Sequence, residues 1–172
     1  MKGTFARYES GEWLPDGKQI VFSAMEAQHD PRIYVQDLSG DPRAISPEGL
    51  ISGALVSPDG GHIAAVISGK AYLLSTSGGN PQPLMGVAAA DVPLAWSADG
   101  RSVFVRTGED IAANVSRVEL ANGMRTPWKT LIPSDPAGIT GVRNVRIRAD
   151  GRSYAYSYNR LLSELYLVDG LR

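Results

Sequence analysis

One short unit written four times constrains this chain more than any other feature. Trp96-Ser97-Ala98-Asp99-Gly100-Arg101-Ser102-Val103-Phe104-Val105 is matched by Trp13-Leu14-Pro15-Asp16-Gly17-Lys18-Gln19-Ile20-Val21-Phe22, by Val56-Ser57-Pro58-Asp59-Gly60-Gly61-His62-Ile63-Ala64-Ala65 and by Ile147-Arg148-Ala149-Asp150-Gly151-Arg152-Ser153-Tyr154-Ala155-Tyr156. In each copy an apolar residue stands three before the Asp of an Asp-Gly pair, and apolar positions resume within four residues after it. Glycine supplies the positive φ that a tight turn requires, and the β-branched and aromatic runs on either side supply strands. Each copy therefore reads as an antiparallel hairpin.

The turn aspartates Asp16, Asp59, Asp99 and Asp150 are spaced 43, 40 and 51 residues apart. That is the period of a four-stranded propeller blade. A third strand follows each hairpin, at Arg32 to Asp37, Lys70 to Ser75, Asn114 to Glu119 and Glu164 to Asp169. A small turn and a short fourth strand carrying proline come next, at Pro42 to Ile45, Pro81 to Leu84 and Arg125 to Trp128. Proline cannot donate to a ladder, so these segments belong at a sheet edge, where the outermost strand of a blade lies.

The expected fold is an all-β propeller in one domain, made of four four-stranded antiparallel blade repeats at about 9–47, 50–85, 90–130 and 140–172. The 51-residue spacing is taken up by a surface loop, Ile132 to Gly138. The last repeat reaches Asp169-Gly170 without a fourth strand, and residues 1–8 are the candidate closing strand, with Thr4 to Tyr8 pairing around Leu165 to Val168. The repeats fit either a closed four-blade ring or half of a larger propeller completed by another chain, such as a second copy, or by residues outside this sequence. Arg160 to Leu167 also carries a helix-like apolar spacing, but Tyr166 matches the third-strand register of Tyr34 and Tyr72, so loop then strand is expected.

With 17 basic and 18 acidic residues in 172, the chain has no long-range field to recruit nucleic acid or an anionic membrane. The absence of cysteine excludes a disulfide framework and a thiolate nucleophile. No window reaches the roughly 18 apolar residues of a membrane helix, so the expectation is a soluble chain without direct membrane contact.

The Asp-Gly hairpins, each followed by an aliphatic or aromatic strand, resemble the TolB-like, WD-repeat-like β-propellers of bacteria over nearly the whole chain. The tail from Asp150 to Tyr158 and from Leu165 to Leu171 looks more specifically like the propellers attached to acidobacterial Ser/Thr kinases. That resemblance implies a sensing or scaffolding module, periplasmic if the kinase spans a membrane and cytoplasmic otherwise. Propellers of this kind also accompany peptidases, so the repeat speaks for fold and not for function.

No kinase signature is present, and no Gly-x-Ser-x-Gly elbow with a later histidine occurs, since His29 and His62 both fall early. The chain reads as non-enzymatic and without cofactor or metal. The four turn aspartates have a complete explanation in local Asx hydrogen bonding. Gly78-Gly79-Asn80 is a turn, because Pro81 and not a helix start follows it. Trp13 and Trp96, equivalent to Val56 and Ile147, are expected to pack between blades.

Binding is expected at loops of one rim, joining second to third strands and each blade to the next. The candidates there are His29, Asp30, Arg32, Lys70, Asp91, Glu109, Asp110, Asn159 and Arg160. A protein or a small ligand is the expected partner, with homodimerisation into an eight-bladed ring as the structural alternative.

Overall fold

A computed structural model describes residues 5–108, 111–164, 166 and 170, with backbone alone at 51–53. These residues form fourteen strands and no helix. The first sheet holds β1 (Arg7–Trp13), β2 (Gln19–Met25), β3 (Arg32–Asp37) and β4 (Arg43–Ala44). The second holds β5 (Leu50–Val56), β6 (His62–Ile67), β7 (Lys70–Ser75) and β8 (Gln82–Pro83), and the third β9 (Asp91–Trp96), β10 (Ser102–Thr107), β11 (Ala113–Glu119) and β12 (Arg125–Leu131). Each is an antiparallel meander in chain order, and β13 (Ile139–Ile147) pairs with β14 (Tyr154–Arg160) to begin a fourth blade. The third strand expected at 164–169 lies largely outside the described residues.

The four Asp-Gly turns share one chemistry. Gly17, Gly60, Gly100 and Gly151 sit at φ 67°, 74°, 67° and 67°, and each donates its amide to the carbonyl three residues back, at 2.8–2.9 Å. The aspartates keep negative φ, so the turn is of type I followed by a left-handed glycine, and not the doubly left-handed two-residue form. Each Asp carboxylate then accepts the amide two residues on, at 2.9 Å for Asp16, 3.0 Å for Asp59, 3.1 Å for Asp99 and 2.9 Å for Asp150. Local bonding therefore accounts for the repeated aspartate.

These turns abut along one face of the molecule. A Cβ on Gly60 would stand 3.0 Å from Cδ of Pro15, one on Gly100 would stand 3.9 Å from Cδ of Pro58, and Ala98 N donates to Ala149 O at 2.9 Å. Elsewhere Arg43 clips the first blade to the second by donating to the carbonyls of Thr76 and Ser77 at 2.8 and 3.0 Å.

The core lies between blades. On β6, Ile63, Ala65 and Ile67 face Val21, Ile33 and Val35 of the first blade, while Ala64 and Val66 face Trp96, Val103 and Val105 of the third. On β10 the same alternation turns Phe104 to the other side, onto Val142, Val145 and Ile147 of the fourth. A strand buried on both faces must be apolar throughout, which is why these second strands read as continuous hydrophobic runs.

The position three before each Asp packs against the preceding blade. Val56 packs on the cluster between blades one and two, Ile147 on that between three and four, and Trp96 is 6% exposed with its indole N–H on Leu55 O at 2.8 Å. Trp13, expected between blades, is instead 56% exposed. The reason is its place at the head of the stack, where no described blade precedes it.

The N-terminal segment partly covers that head. Ala6 N donates to Met25 O at 2.8 Å, and Arg7 and Tyr8 pair with Met25 and Ala24, so Arg7 and Tyr8 are the start of β1 and not a separate closing strand. Thr4 and Leu165, Leu167 and Val168 of the expected closure lie outside the described residues. Phe5 folds over the free face of blade one, its ring 4.7 Å from Tyr34 and 5.6 Å from Phe22. Phe22, Ala24 and Tyr34 are buried as a result.

Trp96→Ala removes an indole from the second interblade cluster and should cost about 3–5 kcal/mol. Trp13→Ala should cost about 0.5 kcal/mol, as for an exposed side chain. Urea unfolding of the two variants against the parent measures the difference.

Candidate functional site

The expected rim residues fall into separate local arrangements. Between β2 and β3, Gln28 at φ 65° turns the loop so that His29 Nδ1 lies 2.9 Å from Glu48 Oε1. Arg32 Nη2 donates to the same oxygen at 2.9 Å, and Tyr34 Oη donates to Glu26 Oε1 at 2.8 Å. Burial and then the Glu26 hydrogen bond push the Tyr34 phenol up to about 12, so it remains a donor. His29 and Arg32 are thus brought together through Glu48, a residue of the linker to blade two that sequence reasoning did not single out. Asp30 is exposed beside them, and Lys70 is exposed after the Ser68-Gly69 turn.

Asp91 is held inside the framework of blade three. Its side chain is buried, and it accepts Arg125 Nη1 and Nη2 at 2.6 and 3.2 Å, Thr107 Oγ1 at 2.6 Å and the Ala88 amide at 2.8 Å. Arg160 likewise anchors a loop, donating to Asp135 Oδ2 at 2.9 Å and to the Asp135 carbonyl at 2.6 Å. The neighbouring Asn159 carbonyl accepts Thr140 Oγ1 at 3.3 Å. Glu109 and Asp110 lie outside the described residues.

The larger concavity is elsewhere. A groove of about 690 Å³ runs between the innermost strands of all four repeats, lined by Ser10 to Glu12 of β1, Ala54 and Leu55 of β5, Val92 to Leu94 of β9 and Arg143 to Arg146 of β13, with Arg106 in its wall. Glu12 spans the first two blades, its Oε1 accepting the Val56 amide at 3.0 Å. Arg106 is 9% exposed and donates to Val142 O at 3.1 Å. The lining combines an apolar floor with a few charged groups, as ligand pockets do. The available sequence signal was the pair Arg143 and Arg146 on β13, where β5 carries Ser52 and Leu55 at the equivalent places.

Among the described residues neither histidine ring meets a hydroxyl, and no group of three His, Cys, Asp or Glu could hold a metal ion. The arrangement can position and neutralise a ligand.

Solved structures carry the same architecture. TolB from Acinetobacter baumannii superposes with a TM-score of 0.60 at 19% identity, over 87% of this chain and 42% of that one. The fold is that of a partial, TolB-like β-propeller. A putative TolB from Agrobacterium tumefaciens gives 0.59 at 20% identity over 93% of this chain and 63% of its own, and an oligogalacturonate lyase from Vibrio parahaemolyticus gives 0.62 at 12% over 87% and 44%. This chain thus spans about half the length of the propeller proteins it matches. No family model and no curated protein matches.

The buried Asp91 supports a pH prediction. Burial alone would raise its carboxyl, but Arg125, Thr107 and the Ala88 amide outweigh it and hold the group below the usual carboxylate range. A depressed folded value gives stability that is full above about pH 4, the unfolded value, and is lost as pH falls through the folded one. Asp91→Asn should cost about 3 kcal/mol at neutral pH and flatten the acid limb of a stability-against-pH curve. Denaturant melts from pH 7 to 2 measure both effects.

Proposed function

We propose that this chain is a non-catalytic propeller module that binds a partner molecule in the groove between its inner strands. The observation that carries the reading is the groove itself. Its volume of about 690 Å³ falls in the range of small-molecule sites, and every repeat contributes an inner strand to it. Attachment to a Ser/Thr kinase as sensor or scaffold rests on the likeness of the tail alone and has no counterpart among the structures named above.

A thermal-shift screen of small metabolites and short peptides against the full chain tests this, with hits repeated on Ala54→Trp, which fills the groove. At least one compound should raise the melting temperature of the parent, lose that effect in Ala54→Trp and remain chemically unchanged on incubation. Hits that survive groove filling but vanish in His29→Ala or Arg32→Ala would move the site to the rim.

A second reading is favoured by Trp13. Its equivalents each pack on a preceding blade, and the position is open only at the head of the stack. Two copies joined head to tail would place Trp13 on the fourth blade of the partner and assemble an eight-bladed ring. Light scattering should then give twice the chain mass for the parent and the single mass for Trp13→Ser. A strictly monomeric parent would rule this reading out.

A further inference from the structure

The strand β13 carries an irregularity that decides what its groove face can hold. Arg143 pairs with Ser157 and Arg146 pairs with Ala155, so the two residues between them oppose one on β14. This is a bulge, and Asn144 occupies it at φ 46° with its side-chain amide donating to Ser157 Oγ at 3.0 Å. In a regular strand, residues three apart point to opposite faces. The extra residue cancels that alternation and puts Arg143 and Arg146 on one face, opposite the small side chains of Ser157 and Ala155. Bulges are found next to functional sites because they re-aim side chains in this way.

The electrostatics of the pair are one-sided. Neither arginine forms an ion pair among the described residues, and the one side-chain hydrogen bond found for the two is Arg146 Nη1 to Val145 O at 3.5 Å. Arg106 stands in the groove wall and donates to Val142 O at 3.1 Å. The one acidic side chain of the lining is Glu12, whose Oε1 is engaged by the Val56 amide. Guanidinium groups present a rigid fork matched to carboxylate and phosphate oxygens, and in a partly enclosed groove such contacts are stronger than at an open surface.

Resting on the groove reading above, we propose that the groove takes a small ligand bearing two or more oxyanion groups, bridged by Arg143 and Arg146. The bulge at Asn144 keeps both arginines on one strand face, with the Arg143 guanidinium lying over Gly141. The apolar floor of Ala54, Leu55, Val92, Pro93 and Leu94 receives the carbon frame of the ligand.

Isothermal titration of the full chain with citrate and, separately, pyrophosphate at near-physiological ionic strength tests the proposal. At least one should bind saturably at one site. Preference for citrate marks a carboxylate ligand and preference for pyrophosphate a phosphorylated one. Arg143→Gln and Arg146→Gln should each weaken binding about tenfold or more, whereas Arg148→Gln, on the same chain stretch but outside the groove lining, should leave it unchanged. Arg143→Lys and Arg146→Lys keep the charge and lose the fork; they should weaken binding too, and they stand in if a glutamine variant does not fold. Absence of saturable binding, or equal weakening by Arg148→Gln, overturns the proposal. A neutral ligand that is lost in Ala54→Trp but indifferent to both arginine variants would overturn it while leaving the groove reading intact.

Discussion

Everything in this structure depends on sheets that are apolar on both faces. A single four-stranded meander with Ile63, Ala65 and Ile67 on one side and Ala64 and Val66 on the other has no stable life in water, since either face left open exposes the side chains that hold it together. Stacking is therefore obligatory, and it propagates. Each blade covers its predecessor and needs a successor, as in other repeat architectures whose stability is a sum over neighbouring interfaces. The Asp-Gly turns matter because they hold the strands in register at one edge of the stack. Each turn also touches the next, through Pro15 and Gly60, Pro58 and Gly100, and the Ala98 to Ala149 hydrogen bond.

Such a stack has two ends, and this chain treats them differently. At the head, Phe5 returns over Phe22 and Tyr34 and shields much of the apolar face, leaving Trp13 at its margin. At the tail, Tyr154 and Tyr156 turn inward toward Trp128, on the face of β13 and β14 opposite Arg143, Arg146 and Ser157.

Much of the fold was legible in the sequence because the repeat is enforced by backbone chemistry. Asp-Gly fixed every hairpin, and the proline positions marked the edge strands; Arg32 to Asp37 and Lys70 to Ser75 were readable to the residue. The site was less legible, for two physical reasons. Repeat equivalence assigns one environment to Trp13 and Trp96, but burial depends on a neighbour, and a position at the end of a stack lacks one. The burial of Asp91 was not legible because its anchoring of Arg125 and Thr107 depends on residues up to 34 positions away. The bulge at Asn144 was invisible because Arg143-Asn144-Val145-Arg146 breaks the alternation without saying in which direction the strand slips.

Functional difference in a repeat protein is found where equivalent positions stop being equivalent. The residue just before each interblade apolar position is Glu12, Leu55, Ala95 and Arg146 in the four repeats. In blade one that side chain bonds forward to the Val56 amide of the next blade, and in blades two and three the position is apolar. In blade four it is an arginine lining the groove, while the register shift beside it is shared by the inner strands of blades two and three. Interblade packing does not require a cation there, since Leu55 and Ala95 satisfy the same place with no charge at all. The bulge belongs to the repeat, and the arginine at a place that Leu55 and Ala95 fill without charge is what sets the fourth repeat apart along the groove.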